Sequence, residues 1–227
     1  MNKGKLILAI ILLVTVSVFF SCISETDSPF KLHQDYFASE VGHYVIYDVD
    51  SIVYDDFTQT IDTFNYQVKE YIEDEYIDSD LAPSLRLERH IRQTDEDDWQ
   101  IKNIWKARIS DTKALKTEEN ITYIKLVFPP ELNKTWDGNA YNIEDQQDYT
   151  YSDIHIPYFL NGNDFDSTVV VLQKDFKTLI SEDYQVEVFA KNIGLIFKHF
   201  IELTKEPDGT IKRGVDYSYS YVQHGSE

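Results

Sequence analysis

Apolar and polar residues alternate along most of the chain beyond residue 40. In "HYVIYDVDSIVY", Val45, Tyr47, Val49 and Val53 fall on one face, and in "TFNYQVKEYI" Phe64, Tyr66 and Val68 do the same. "SLRLERHI" turns Leu85, Leu87 and Ile91 one way and Arg86, Glu88 and His90 the other. "WQIKNIWKARI" repeats the pattern, with Trp99, Ile101, Trp105, Ala107 and Ile109 inward and Lys102, Lys106 and Arg108 outward. A period of two is the mark of half-buried strands. "ITYIKLVF" and "STVVVLQ" are apolar on both faces, which predicts central strands covered on both sides. "YTYSDIHI", "DYQVEVFA", "IGLIFKHFIELT" and "IKRGVDYSYSYV" complete the set. "QTDEDD" suits a hairpin loop, and the Pro-Asp-Gly of "KEPDG" is a tight-turn signal. The clearest helix signal is "DTKALKTEEN", residues 111–120, with Asp111 as N-cap. The pattern predicts a mainly β fold. It is a single antiparallel domain over residues 35–227, a curved sheet, open barrel or sandwich of about ten strands with one or two short helices.

The start of the chain reads differently. Lys3 and Lys5 precede an apolar run over residues 6–20. A spanning helix needs roughly 20 apolar residues, so the run is short for a permanent anchor and fits a secretory leader. It ends Phe19-Phe20-Ser21-Cys22, and Cys22 is the only cysteine in the chain. This resembles a bacterial lipobox, with Phe19 where the common form has Leu. The resemblance implies a thioether-linked lipid on Cys22, cleavage before it, and N-acylation. Each buried CH₂ of an acyl chain contributes about 0.8 kcal/mol, and two or more chains give stable anchoring. Residues 1–21 are then a signal peptide and residues 22–34 a flexible acidic tether. The expected location is the bacterial cell envelope, lipid-anchored at the outer membrane on its periplasmic or surface side. The "SETD" after the cysteine resembles surface-export signals of Bacteroidota lipoproteins.

Charge and composition narrow the chemistry. Asp and Glu number 40 against 21 Lys and Arg, a formal net charge of −19. Such a field repels phosphate backbones and anionic headgroups, which argues against nucleic-acid binding and against docking on anionic lipid. The 6 histidines have no zinc-site spacing. No Gly-x-Ser-x-Gly elbow and no Gly-rich phosphate loop is present. "NGNDFD" lacks the regular calcium-loop spacing. No metal, cofactor or catalytic residue is predicted. Acidic pairs such as Asp55/Asp56 and Glu118/Glu119 are expected by chance among so many carboxylates. Aromatics are the other surplus, with 16 Tyr. Tyr149 and Tyr151, and again Tyr217, Tyr219 and Tyr221, form one-face ladders. These are candidates for a ligand-binding face, or for ordinary cross-strand packing. Asp50-Ser51-Ile52 and Asp166-Ser167-Thr168 resemble the O-glycosylation motif of secreted Bacteroidota proteins.

Four segments carry a wider resemblance: "DYFASEVGHYVIYDVDSIVYD", "IKLVFPPELNKTWDGNAYN", "FDSTVVVLQ" and "EVFAKNIGLIFKHF". Over roughly residues 35–205 they resemble a family of uncharacterised Bacteroidota lipoproteins. Its members share a VG-x-Y/W-x-x-Y first strand, a Trp-x-Gly-Asn turn and a late YAK-x-(I/V)-GLI strand, where Phe189 replaces the tyrosine. The resemblance implies class and location, and no activity. Physically, Gly42 permits a tight entry to the first strand. Trp136-Asp137-Gly138-Asn139 reads as a turn with Gly138 at positive φ, and Gly194 as a bulge or close backbone approach. The function expected is a non-enzymatic, lipid-anchored envelope protein that binds a protein partner, a glycan or an apolar ligand through its concave face. The rival is an extracytoplasmic hydrolase using clustered carboxylates.

Overall fold

Each alternating run becomes a strand. The computed structural model describes residues 31–227, so Cys22, the leader 1–21 and most of the tether lie outside the described residues. The strands are β1 His43–Asp55, β2 Thr60–Ile77, β3 Pro83–Arg92, β4 Gln100–Ile109, β5 Lys113–Glu118 and β6 Ile121–Val127. They continue as β7 Thr135–Asp137, β8 Asp148–Leu160, β9 Asn163–Lys177, β10 Ser181–Ala190, β11 Gly194–Lys205 and β12 Ile211–Ser226. All twelve belong to one antiparallel sheet in the order β6-β5-β4-β3-β2-β1-β12-β11-β10-β9-β8-β7. Two six-strand meanders are therefore joined where the first strand pairs with the last.

The two ends of that order meet and nearly close a barrel. The Ile124 amide donates to the Gly138 carbonyl at 2.9 Å, and the Trp136 indole donates to the Ile124 carbonyl at 2.9 Å. The Tyr151 hydroxyl bonds Val127, and Asn142 donates to the Thr122 carbonyl at 2.9 Å. The free edge of β6 is thus covered by side chains and one backbone bond, which removes a template for edge-to-edge pairing. Register slips in several ladders, three of them between β8 and β9, add the local twist that curls the sheet.

Several expectations are corrected. Residues 111–120 hold strand β5, not a helix. A turn over 110–113 starts it, with the Ser110 amide donating to the Lys113 carbonyl at 2.9 Å, and Ala114, Leu115 and Lys116 are all buried in the sheet. Pairing to β4 and β6 outweighs a weak local helix preference. Among the described residues the sole helical element is a 3-10 turn, Gln34–Tyr36. "ITYIKLVF" forms β6, an end strand of the order rather than a central one, and its two apolar faces are explained by the seam packed over it. Gly138 does not take positive φ. It lies in the turn that follows β7, as expected, and a Cβ there would run into the Tyr149 ring, so glycine is required for close aromatic packing. "STVVVLQ" lies in β9, between β8 and β10, as expected. The "KEPDG" hairpin forms, with Gly209 at φ +92.

Two apolar clusters make the core. One fills the barrel end where the chain enters: Tyr36 and Phe37 of the entry segment pack with Leu85, Leu87, Tyr151 and Phe189, and Leu32 already rests against them. Ala38 seats on Gly194, where φ is +96 and a Cβ would lie 3.1 Å from the Ala38 Cβ. This is the close approach read from the sequence. The second cluster gathers Val45, Tyr47, Val49, Ile196, Tyr219 and Tyr221.

Candidate functional site: a charged ring in the barrel

Inward-facing positions next to the entry end are apolar, but one step further along six strands they are charged. Arg89 of β3 lies 3.4 Å from Glu70 of β2, measured Nε to Oε1. The other oxygen of Glu70 accepts from Lys116 of β5 at 2.7 Å. Lys116 stands 4.0 Å from Glu118, and Glu118 lies 3.2 Å from Lys125 of β6. Lys125 donates to Glu187 of β10 at 2.7 Å, and Lys198 of β11 is 3.9 Å from the same Glu187 oxygen. Charges alternate along this chain of seven groups, and both of its ends are cations.

The two ends come together at β12. The Arg89 guanidinium donates to the Tyr219 hydroxyl at 2.8 Å. Lys198 is the register partner of Tyr219, and its ammonium sits 5.5 Å from the Tyr217 ring centre. Arg89 also stacks 3.8 Å from the centre of a Trp105 ring and donates to Asn103 at 3.1 Å. Its Nε and the Glu187 Oε2 are buried without a hydrogen-bond partner.

The ionisation of the ring follows from its pairing. Burial pushes the Glu118 carboxyl up, but Lys125, Lys198 and Lys116 more than reverse this and hold it well below the usual range. The same contest, with Lys116 and Arg89 as the cations, lowers Glu70. Burial acts to discharge Lys125 and Lys198, but the ring carboxylates raise both. Glu70, Glu118, Lys125 and Lys198 are therefore held in their charged forms at neutral pH.

A cavity of about 300 Å³ occupies the same space. Phe37, Ile72, Leu87, Phe189 and Leu195 line its apolar side, and the ring lines its polar side. Lys102, Asn103 and Glu119 also border it; Asn103 donates to Glu119, as does the Trp105 indole, the latter at 3.1 Å. Lys102 was expected to point outward. The β3–β4 register slips between Arg89 and His90, pairing Asn103 and then Ile101, and Lys102 falls in the slip. That slip turns Lys102 to the cavity and leaves Ile101 58% exposed.

The candidate tyrosines divide. Tyr217 and Tyr219 line the cavity, and Tyr221 packs beside them against Phe165, ring centres 5.1 Å apart. Tyr149 and Tyr151 lie elsewhere, in the entry-end core and the seam, at 3% and 0% exposure. The sequence reading missed the ring itself. Its signal was one charged residue on the inward parity of an otherwise apolar alternation, as with Arg89 after Leu85 and Leu87.

Two histidine arrangements stand outside the cavity. His199 Nε2 is 2.9 Å from Asp216 on an open strand surface, with no hydroxyl bonded to the ring. Near the entry segment, the Tyr36 hydroxyl lies 2.6 Å from both His155 Nδ1 and Ser167 Oγ, and the His33 ring is 4.6 Å from that of His155. Among the described residues no group of three His, Cys, Asp or Glu side chains is placed to hold a metal ion.

No family model matches the chain, and no curated protein matches it. Among solved structures, the chain is similar to a protein described as exported, with a YmcC-like fold, from Bacteroides fragilis (TM-score 0.46). It is also similar to a protein described as a lipoprotein from Parabacteroides distasonis (TM-score 0.40). Each alignment has 9% identity and covers 84% of this chain and 98% of the other.

Proposed function

We propose that this protein is a lipid-anchored component of a bacterial envelope, held at the outer membrane by an acylated Cys22, whose barrel binds a small ligand without transforming it. The observation that carries the binding role is the cavity, in which an apolar wall and a ring of ion-paired side chains face the same space. Ligand sites combine mostly apolar lining with a few placed polar groups, and this volume is at the small end of their range. The lipobox supports the anchor, and a net charge of −19 argues against nucleic acid as the ligand.

The hydrolase reading draws less support from the same residues. A carboxylate pair that cleaves glycosides needs one carboxyl held protonated near neutral pH. Glu70 and Glu118 are both pushed the other way.

Two measurements test the proposal. The intact mass of the membrane-purified protein should show a chain that begins at Cys22 and carries acyl groups, and Cys22→Ser should leave the membrane fraction. Native mass spectrometry of the same preparation should show a non-covalent small molecule retained by the folded barrel and lost on denaturation. A chain that is unacylated, or a barrel that never retains any molecule, would sink the corresponding half.

A further inference from the structure

We infer that the barrel binds an amphipathic monoanion, a carboxylate with an unbranched apolar tail, its head between Arg89 and Lys198 and its tail against the entry-end core. This rests on the ligand-holding reading above and adds the class of ligand.

The argument begins with charge balance. Four cations and three carboxylates alternate round the ring, so it lacks one negative charge. The missing charge belongs where the two ends meet, between Arg89 and Lys198. A buried cation without a counter-charge is costly, and an anion supplied from outside removes that cost.

Hydrogen bonding points to the same place. Lys198 pairs directly with no carboxylate: Glu187 stands 3.9 Å away, the oxygen it faces is already taken by Lys125 at 2.7 Å, and Glu118 acts on it only from further off. Among the described residues its ammonium makes no hydrogen bond. Arg89 is 4% exposed, yet its Nε has no hydrogen-bond partner, the nearest carboxylate oxygen being 3.4 Å away. Beside them, the Tyr219 hydroxyl accepts from Arg89 and keeps a proton to donate, which Tyr66 shares. Arg89 is bonded to Tyr219 and Lys198 stands opposite Tyr219 in the β11–β12 ladder, and two cations beside one hydroxyl on a cavity wall are the groups that seat a carboxylate. The cavity joins this point to Phe37, Leu87, Phe189 and Leu195, which offer an apolar tail a dry wall. A bare inorganic anion would leave that wall unused, and an uncharged lipid would leave the ring unbalanced.

The test uses residues 32–227, a compact unit that holds all twelve strands of the described residues and both apolar clusters. The protein is stripped of bound molecules and titrated with decanoate, decanol and decylammonium by calorimetry, with native mass spectrometry for stoichiometry. Decanoate should bind one to one, about tenfold or more tighter than decanol, and decylammonium should not bind. Lys198→Gln should weaken decanoate by about tenfold and leave decanol unchanged. Glu187→Gln, which enlarges the cation surplus, should tighten decanoate. The comparison of three ligands needs no variant, so a misfolded variant leaves it intact. If decanol or decylammonium binds as well as decanoate, or if folded Lys198→Gln keeps full decanoate affinity, the anion site is wrong and the cavity reading stands. If none of the three enters, both fall.

Discussion

The hydroxyl of Tyr151 lies 2.8 Å from the carbonyl oxygen of Val127 and 3.1 Å from its amide nitrogen, so one side chain of β8 serves β6 as a strand partner would. Tyr151 is fully buried, its ring 4.7 Å from that of Trp136. Burial pushes its phenol up, and it stays neutral across the whole working range. Tyr151→Phe keeps the ring packing and removes both bonds, leaving a backbone donor and acceptor without partners at the seam. The expected loss is about 2 kcal/mol. It should appear as a lower urea midpoint at unchanged slope, together with faster amide exchange at Val127. An unchanged midpoint would mean that the seam closes by other contacts.

Lys125 is the middle of the ring, bonded to Glu187 at 2.7 Å and 3.2 Å from Glu118, with its side chain 6% exposed. Lys125→Met strands two carboxylates whose remaining cations stand at 4.0 and 3.9 Å. Breaking a buried pair from one side costs about 3–5 kcal/mol, far more than an exposed pair is worth. Adding Glu187→Gln to Lys125→Met should restore part of the loss, since it removes one of the stranded charges. The double-mutant cycle, read by urea unfolding, measures that coupling. A single variant no worse than a surface Lys change would show the ring to be solvated.

The ring also sets an acid limit. Glu70 and Glu118 have folded values below the ordinary 4.5, so each adds stability that is fully present above that value and is lost as pH falls toward the folded one. Asp78 behaves alike, held down at about 2 against an ordinary 3.8. Burial raises it, but the Ala82 amide, the Ser84 hydroxyl and the Asp80 amide outweigh burial. Stability should therefore be flat near neutrality and fall steeply below 4.5. Glu118→Gln should be less stable than the natural chain at neutral pH and show a shallower fall in acid. Thermal melts across that range check both; equal slopes would remove Glu118 from the acid limit.

How much of this was legible before the structure depends on distance along the chain. Val45, Tyr47 and Val49 share a face because alternation is local, and Leu85 and Leu87 show it again. The "KEPDG" turn and the close approach at Gly194 were readable for the same reason. The β5 strand was not, because the choice between one helical turn and a short strand at 113–118 is made by partners in β4 and β6. Register slips were invisible too, so Lys102 was assigned to the wrong side and Ile101 with it. The ring needed the closed barrel: Arg89 and Tyr219 are 130 residues apart and meet only when β3 and β12 curl toward each other. Ladder pattern alone groups Tyr149 and Tyr151 with Tyr217, Tyr219 and Tyr221, and closure sends the two ladders to different places.

The entry segment carries its own pH dependence. Tyr36 is tied by its hydroxyl to His155 and Ser167, and Asp35 pairs with Lys191 at 3.2 Å. Burial lowers the His155 value below its ordinary 6.5, and His33 and Lys191 lower it further, against Asp35. A histidine depressed in the folded state is held neutral there. It adds stability that is present above 6.5 and lost as pH falls through the folded value. His155 sits at φ +55, a left-handed conformation that asparagine tolerates, so His155→Asn removes the titrating ring without adding backbone strain. Natural protein should loosen at the entry segment as pH falls below 6.5, seen as earlier proteolytic cleavage near Tyr36 and a lower melting temperature, and His155→Asn should flatten that step. A step of equal size in the variant would move the switch to another group.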